Sequence, residues 1–214
     1  WGAYFYPQEY IEQLDIIRKK HNILIAFDEM QSGFGRTGKL FGYMHYNIEP
    51  DILCCGKGAS SSLPLSLVLG RAKILDLPEI GSMSSTHSAH PVVCAAGEAN
   101  LRFILENGLI KKSEKLGLIM KKEIELLSQE LEEKVDIKVN CLGLVAGVII
   151  RDLSGNPASN VCSEISEKCF QSGLLVVHTG REAIKLAPPL TITDDALMDG
   201  LNTFCDNVRK VVLN

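Results

Sequence analysis

A carboxylate and an amine, Asp28 and Lys57, each stand where a short apolar run ends. Ile23-Leu24-Ile25-Ala26-Phe27 leads into Asp28-Glu29-Met30-Gln31, and Ile52-Leu53-Cys54-Cys55 leads into Gly56-Lys57-Gly58. A neutral amine adds to a carbonyl, and a carboxylate pairs with a cationic heterocycle. The two together therefore suit a ligand that is both an aldehyde and a protonated ring. That chemistry works only if both groups reach one place. Short continuous apolar runs read as strands buried on both faces, as in a parallel sheet. In such sheets ligands gather beyond the carboxyl ends of the strands, which is where Asp28 and Lys57 are expected.

Other readings of these residues fail on their neighbours. Gly33-Phe34-Gly35-Arg36-Thr37-Gly38 satisfies the G-x-G-x-x-G spacing of dinucleotide sites. That fingerprint needs its glycines between a strand and a helix whose N-terminus faces the pyrophosphate. Here Lys39-Leu40-Phe41-Gly42-Tyr43 follows without a helical pattern, so a loop shaping a cleft is expected. Nor is Gly56-Lys57 a P-loop, because Asp51 replaces the first glycine and Gly58 the Ser or Thr after the lysine. A lysine between glycines is by itself a solvated turn residue. The strand end before it and Asp28 upstream are what favour a nucleophile.

Alternating helices and strands must position the pair. Pro7 opens a helical pattern with Tyr10, Ile11, Leu14 and Ile17 on one face, and Lys19-Lys20-His21-Asn22 closes it. The strand to Asp28, a glycine-rich loop, the strand to Cys55 and a third apolar run over residues 65–70 follow, which argues for an α/β fold. Residues 91–107 read as a long helix. After Gly108 the composition shifts, and Leu116, Ile119, Met120, Ile124, Leu127 and Leu131 mark one face of a charged helix. Strands are expected near residues 137–139, 144–150, 174–177 and 183–186, and a helix with Val161, Ile165 and Cys169 inward. Thr193 caps a last helix with Asp194 and Asp195 in its first turn. The expected division is residues 1–108, part of a large α/β domain, and residues 109–214, a small α+β domain.

Composition narrows the function further. The 214 residues are 46% hydrophobic, and 22 basic against 26 acidic residues give a net charge of −4. No basic stripe with interleaved aromatics suggests nucleic acid, and no apolar run reaches the ~18 residues of a membrane span. The 7 cysteines include no C-x-x-C pair, so reduced, buried thiols in a cytosolic protein are expected rather than a metal or disulfide framework.

Asp28-Glu29-Met30-Gln31-Ser32-Gly33-Phe34-Gly35-Arg36-Thr37-Gly38 resembles the signature of the class III aminotransferases, which depend on pyridoxal phosphate (PLP) and include the ornithine, 4-aminobutyrate and diamine transaminases. Glu49-Pro50-Asp51-Ile52 leading to Gly56-Lys57-Gly58, then Leu63-Pro64-Leu65, is similar to the family's lysine segment. Ser85-Thr86-His87-Ser88-Ala89-His90-Pro91 is similar to its phosphate-contact turn, and Leu186-Ala187-Pro188-Pro189-Leu190-Thr191 to its substrate-side segment. These landmarks fall in family order over most of the chain.

The resemblance implies a type I PLP-dependent transferase fold, with part of a large mixed-sheet domain followed by the small domain. It implies PLP as cofactor and no metal. Lys57 would form the Schiff base with PLP, Asp28 would pair with the pyridine nitrogen, Met30 would lie against the ring, and Gln31 would bond the ring's phenolic oxygen. Thr86 would reach the phosphate of the neighbouring subunit in a homodimer with shared active sites. Without the resemblance, Asp28 reads as a turn carboxylate, Met30 as core packing and Thr86 as the cap of the helix at Pro91.

The implied reaction is transamination in the cytoplasm, from an amine or (di)amino acid donor to a small 2-oxo acid acceptor. The alternatives are a PLP-dependent aminomutase or racemase of the same fold, and a non-catalytic fragment or scaffold. The chain opens at Trp1 without methionine and lacks the family's phosphate cup and ring-stacking aromatic. The resemblance therefore implies the C-terminal half of an aminotransferase, inactive alone. Three features depart from the family pattern: Ser60-Ser61-Ser62 where glycines are usual, His90 where asparagine is common, and Lys185 where many members that recognise an α-carboxylate carry arginine. Lysine is a hydrated point charge without arginine's planar fork, which favours a donor reacting at an ω-amine.

Overall fold

Helix α1, Gln8–His21, forms where the apolar period predicts it, with Pro7 as N-cap, and stops at Asn22, whose φ of 52° is left-handed. Basic Arg18, Lys19, Lys20 and His21 fill its last turn, where they oppose the negative end of the helix. The structure, a computed structural model, describes residues 2–213. They divide into two units, one of residues 6–110 and one of residues 2–5 with 111–213.

The first unit holds a 3-stranded sheet of β1 (Ala26–Asp28), β2 (Ile52–Cys55) and β3 (Leu67–Gly70) in that order. β1 and β2 run parallel, and β3 is antiparallel to β2, so the sheet is mixed. Around it lie short 3-10 turns at Gly42–His45 and Lys57–Ala59, a single-turn helix α2 (Ala72–Leu75) and the long helix α3 (Pro91–Glu106).

Two expectations are corrected here. The apolar run from Ile23 does not pair along its length. Ile25 N donates to Asp51 Oδ2 at 3.0 Å, and Ile25 O accepts from Asp51 N and Ile52 N, so the ladder starts only at Ala26. Asp51 is held in turn by Arg18 Nη1 at 3.2 Å, and Arg18 Nε bonds Asp15. Nor are the strands buried on both faces, since Ala26 and Asp28 are exposed and Ile23 and Leu24 are more than half exposed. A sheet of 3 strands with β1 at its edge has too few neighbours to cover such residues.

In the second unit, α4 (Leu109–Glu130), α5 (Ser159–Gln171) and α6 (Asp194–Val212) pack on a 4-stranded antiparallel sheet. Its strands are β4 (Asp136–Cys141), β5 (Ala146–Arg151), β6 (Val177–His178) and β7 (Ala183–Leu186), in the order β4-β5-β7-β6. Leu116, Ile124, Val148, Ile150, Ile165 and Phe204 form its fully buried centre. Thr193 Oγ1 accepts from Ala196 N at 3.2 Å, capping α6 as predicted. The strand expected over residues 174–177 shrinks to β6. Gly173 turns left-handed at φ 82° and Leu174 N donates to Cys169 O, so the end of α5 uses the backbone a longer strand would need.

All seven cysteines are free, and only Cys94 is exposed. Burial pushes the Cys141 and Cys162 thiols up to about 12, and those of Cys169 and Cys205 up to about 11. Such thiols are packing groups rather than nucleophiles. Among the described residues no helix is long and apolar enough to cross a membrane, and no cluster of His, Cys, Asp or Glu could hold a metal ion.

Candidate functional site

The parallel register of β1 and β2 sets Asp28 opposite Cys54, and Glu29 N still donates to Cys54 O at 2.8 Å. The two strands therefore end side by side, and the turns that follow them converge. Lys57 is exposed there, with Nζ donating to Gln31 Oε1 at 3.3 Å. Met30 is half-buried against Gly56, where a Cβ would collide with the Met30 sulfur. Only glycine permits that approach, so Met30 and Lys57 share one strand end because position 56 carries no side chain.

Asp28 is exposed, and its Oδ1 accepts from Met30 N at 2.9 Å. One carboxylate oxygen thus does serve the turn. Asp28, Met30, Gln31 and Lys57 are brought together by these two strand ends. Thr86 sits on an exposed turn of the same unit, and no hydrogen bond joins it to them among the described residues. It does not cap α3, whose N-cap is His90, without a side-chain cap bond. Lys185 is half-buried on β7 of the second unit, opposite Gly147 and Val177. It borders a cavity of about 330 Å³ lined also by Leu174, Pro189, Leu197 and Phe204.

Lys57 has a φ of 41°, unusual for a residue with a β-carbon. Such a conformation costs roughly 1–3 kcal/mol and survives only where the surroundings enforce it. The candidate nucleophile thus stands at a constrained turn.

Sequence reasoning missed Glu29. This carboxylate is 1% exposed, with Oε1 accepting from Tyr43 N at 2.7 Å and Oε2 from Gly42 N at 2.8 Å and Ser32 Oγ at 2.5 Å. It folds the glycine-rich loop back onto the end of β1, with Glu29 as the loop's anchor. The available signal was Ser32 three residues after a carboxylate, too common to single out. Glu29→Ala should lower stability by about 1–3 kcal/mol, since two part-buried backbone N–H groups and the Ser32 hydroxyl lose their acceptor. An unchanged urea midpoint for that variant would show that the loop holds itself.

A family model described as aminotransferase class-III matches residues 1–208. Among curated proteins, the chain is 32% identical over 197 residues to 4-aminobutyrate aminotransferase of Mycobacterium bovis, covering 90% of the chain and 43% of that protein. It is 35% identical over 199 residues to a leucine/methionine racemase of Thermococcus litoralis, covering 92% of the chain and 44% of that protein. Among solved structures, a Toxoplasma gondii ornithine aminotransferase, crystallised with oxidised glutathione and with partial occupancy of PLP at its active site, matches with a TM-score of 0.86 at 28% identity. That match covers 98% of the chain and 49% of the structure's chain. The chain thus spans less than half the length of each of these three.

Proposed function

The chain belongs to the class-III aminotransferases, and on that premise we propose that the full-length protein transfers an amino group from an amine or (di)amino acid, at an ω-amine, to a small 2-oxo acid with PLP as cofactor. Its architecture is that of the type I PLP-dependent fold. The observation that carries the reading is the amine of Lys57 beside the strand end of Asp28, 3.3 Å from Gln31. An amine for the aldehyde, a carboxylate for the ring nitrogen, an amide for the ring oxygen and a thioether for the ring face fit PLP. When bound, PLP supplies the aldehyde and a ring that withdraws electrons from the bond being broken.

Lys57 Nζ would hold the cofactor at its carbonyl carbon until the donor amine takes its place. Once free, Lys57 Nζ would take up and pass on the proton lost by the donor's carbon. Asp28 would hold the proton on the pyridine nitrogen, Gln31 would bond the ring's oxygen, and Met30 would lie against the ring. We further propose a cytoplasmic homodimer in which Thr86 completes the phosphate site of the neighbouring subunit. Support comes from the exposed surface around that turn, where Leu77, Ile80 and Met83 are largely uncovered.

The similarity to a racemase favours one second reading, inversion of an amino acid without transfer. Product analysis separates the two: incubation with a donor and a 2-oxo acid should give one new amino acid per carbonyl product formed. Inversion with no carbonyl product would replace transamination by racemisation.

Lys185 tests the choice of donor. If Lys185 supplies only diffuse charge, Lys185→Ala should raise KM for the 2-oxo acid by less than about tenfold and spare the diamine half-reaction. Lys185→Arg should give no improvement. A preference for simple α-amino acids that is lost in Lys185→Ala would contradict the ω-amine reading.

A further inference from the structure

The left-handed backbone of Lys57 needs something to hold it, and α3 provides it. Asn100 Nδ2 donates to Gly58 O at 2.7 Å and to Ala59 O at 3.2 Å, the two carbonyls directly after the lysine. One turn earlier on the same helix face, Gly97 is buried. A Cβ there would strike the Leu65 side chain and lie 3.5 Å from Ala59 O. The absent side chain lets α3 approach closely enough for a short amide to reach the turn. The turn is closed from within by Ala59 N donating to Gly56 O at 2.9 Å. Asparagine is a weak helix former, and its amide here serves the lysine turn instead of its own helix.

We infer that Asn100 is a positioning residue for Lys57: it fixes the Lys57–Ala59 turn in the conformation that directs Nζ toward Gln31 and the end of β1. This inference rests on reading Lys57 as the residue that bonds the cofactor. A residue that merely stabilises α3 would weaken every property of the protein alike. One that acts through Lys57 should matter only while the lysine is present.

The test uses the full-length protein, stripped of PLP and then supplied with it. Asn100→Ala should slow the growth of the lysine-bound visible absorption about tenfold, the loss expected for two neutral hydrogen bonds, and lower kcat to a similar degree with KM nearly unchanged. In a Lys57→Ala background whose activity is restored by added methylamine, Asn100→Ala should change the restored rate by less than about twofold. Asn100→Asp has nearly the same shape but turns an acceptor toward the two carbonyls, and it should be at least as slow as Asn100→Ala. Equal losses with and without Lys57, or wild-type capture of PLP by Asn100→Asp, would overturn the inference. Borohydride reduction of the wild type distinguishes this from failure of the underlying reading. A label fixed at Lys57 leaves that reading standing whatever Asn100 does, and a label elsewhere ends both.

Discussion

Lys57→Ala in the full-length protein is expected to abolish the visible absorption of bound PLP and to lower amino transfer by more than about 10⁴-fold. General acid–base catalysis by one side chain contributes ~10²–10⁴ on its own, and in the proposed mechanism this lysine would also make and break the covalent bond to the cofactor. Borohydride should fix the cofactor to the peptide containing Lys57. The nearest rivals in sequence are Lys39, in the exposed part of the glycine-rich loop, and Lys73, in α2. Neither follows the carboxyl end of a parallel strand. Finding the label on either of them, or near-normal turnover without Lys57, would end the assignment.

The second large effect is expected at Asp28. A carboxylate ~4 Å from a protonated ring nitrogen gains about 1 kcal/mol in water and about 4 kcal/mol at an effective dielectric near 20. Cover by bound PLP would move the exposed Asp28 toward the second figure, so Asp28→Asn should lower kcat by roughly 10- to 1000-fold. The asparagine oxygen can still accept from Met30 N, the bond that Asp28 Oδ1 makes at 2.9 Å, so the turn is preserved and the charge alone is tested. Stopped-flow measurement of the donor half-reaction is the decisive assay. A rate within twofold of wild type would leave Asp28 as a turn residue only.

Features written in local pattern were legible in the sequence. The apolar stripe from Leu116 to Leu131 became the buried face of α4 and its following turn, and Thr193 became the cap of α6. Asp28 and Lys57 could be singled out because a strand end is visible wherever an apolar run stops. Features decided by partners far along the chain were not legible. Whether Ile23 and Leu24 pair depends on Asp51 capturing the backbone of Ile25, and Arg18 must first hold Asp51. Glu29 finds one of its donors 13 residues onward, and Asn100 finds a carbonyl 42 residues back. No periodicity or motif connects such positions. The sequence also overstated strand burial, because hydrophobicity records what a strand can cover and not which neighbours are there to cover it.

The N-terminal residues 2–5 belong to the unit made by residues 111–213, and a Cβ on Gly147 of β5 would run into the backbone of Ala3. That unit is therefore discontinuous, and all of residues 6–110 form a loop between its two pieces. Closing a long loop adds little to the equilibrium cost, only ~0.6 kcal/mol for each doubling of its length. Its effect falls on time, because distant contacts form late. Residues 2–5 precede β5 and β7 in the chain, so they have no seat until those strands have been made. A cut between residues 5 and 6 would separate them from a unit that otherwise forms from one continuous stretch.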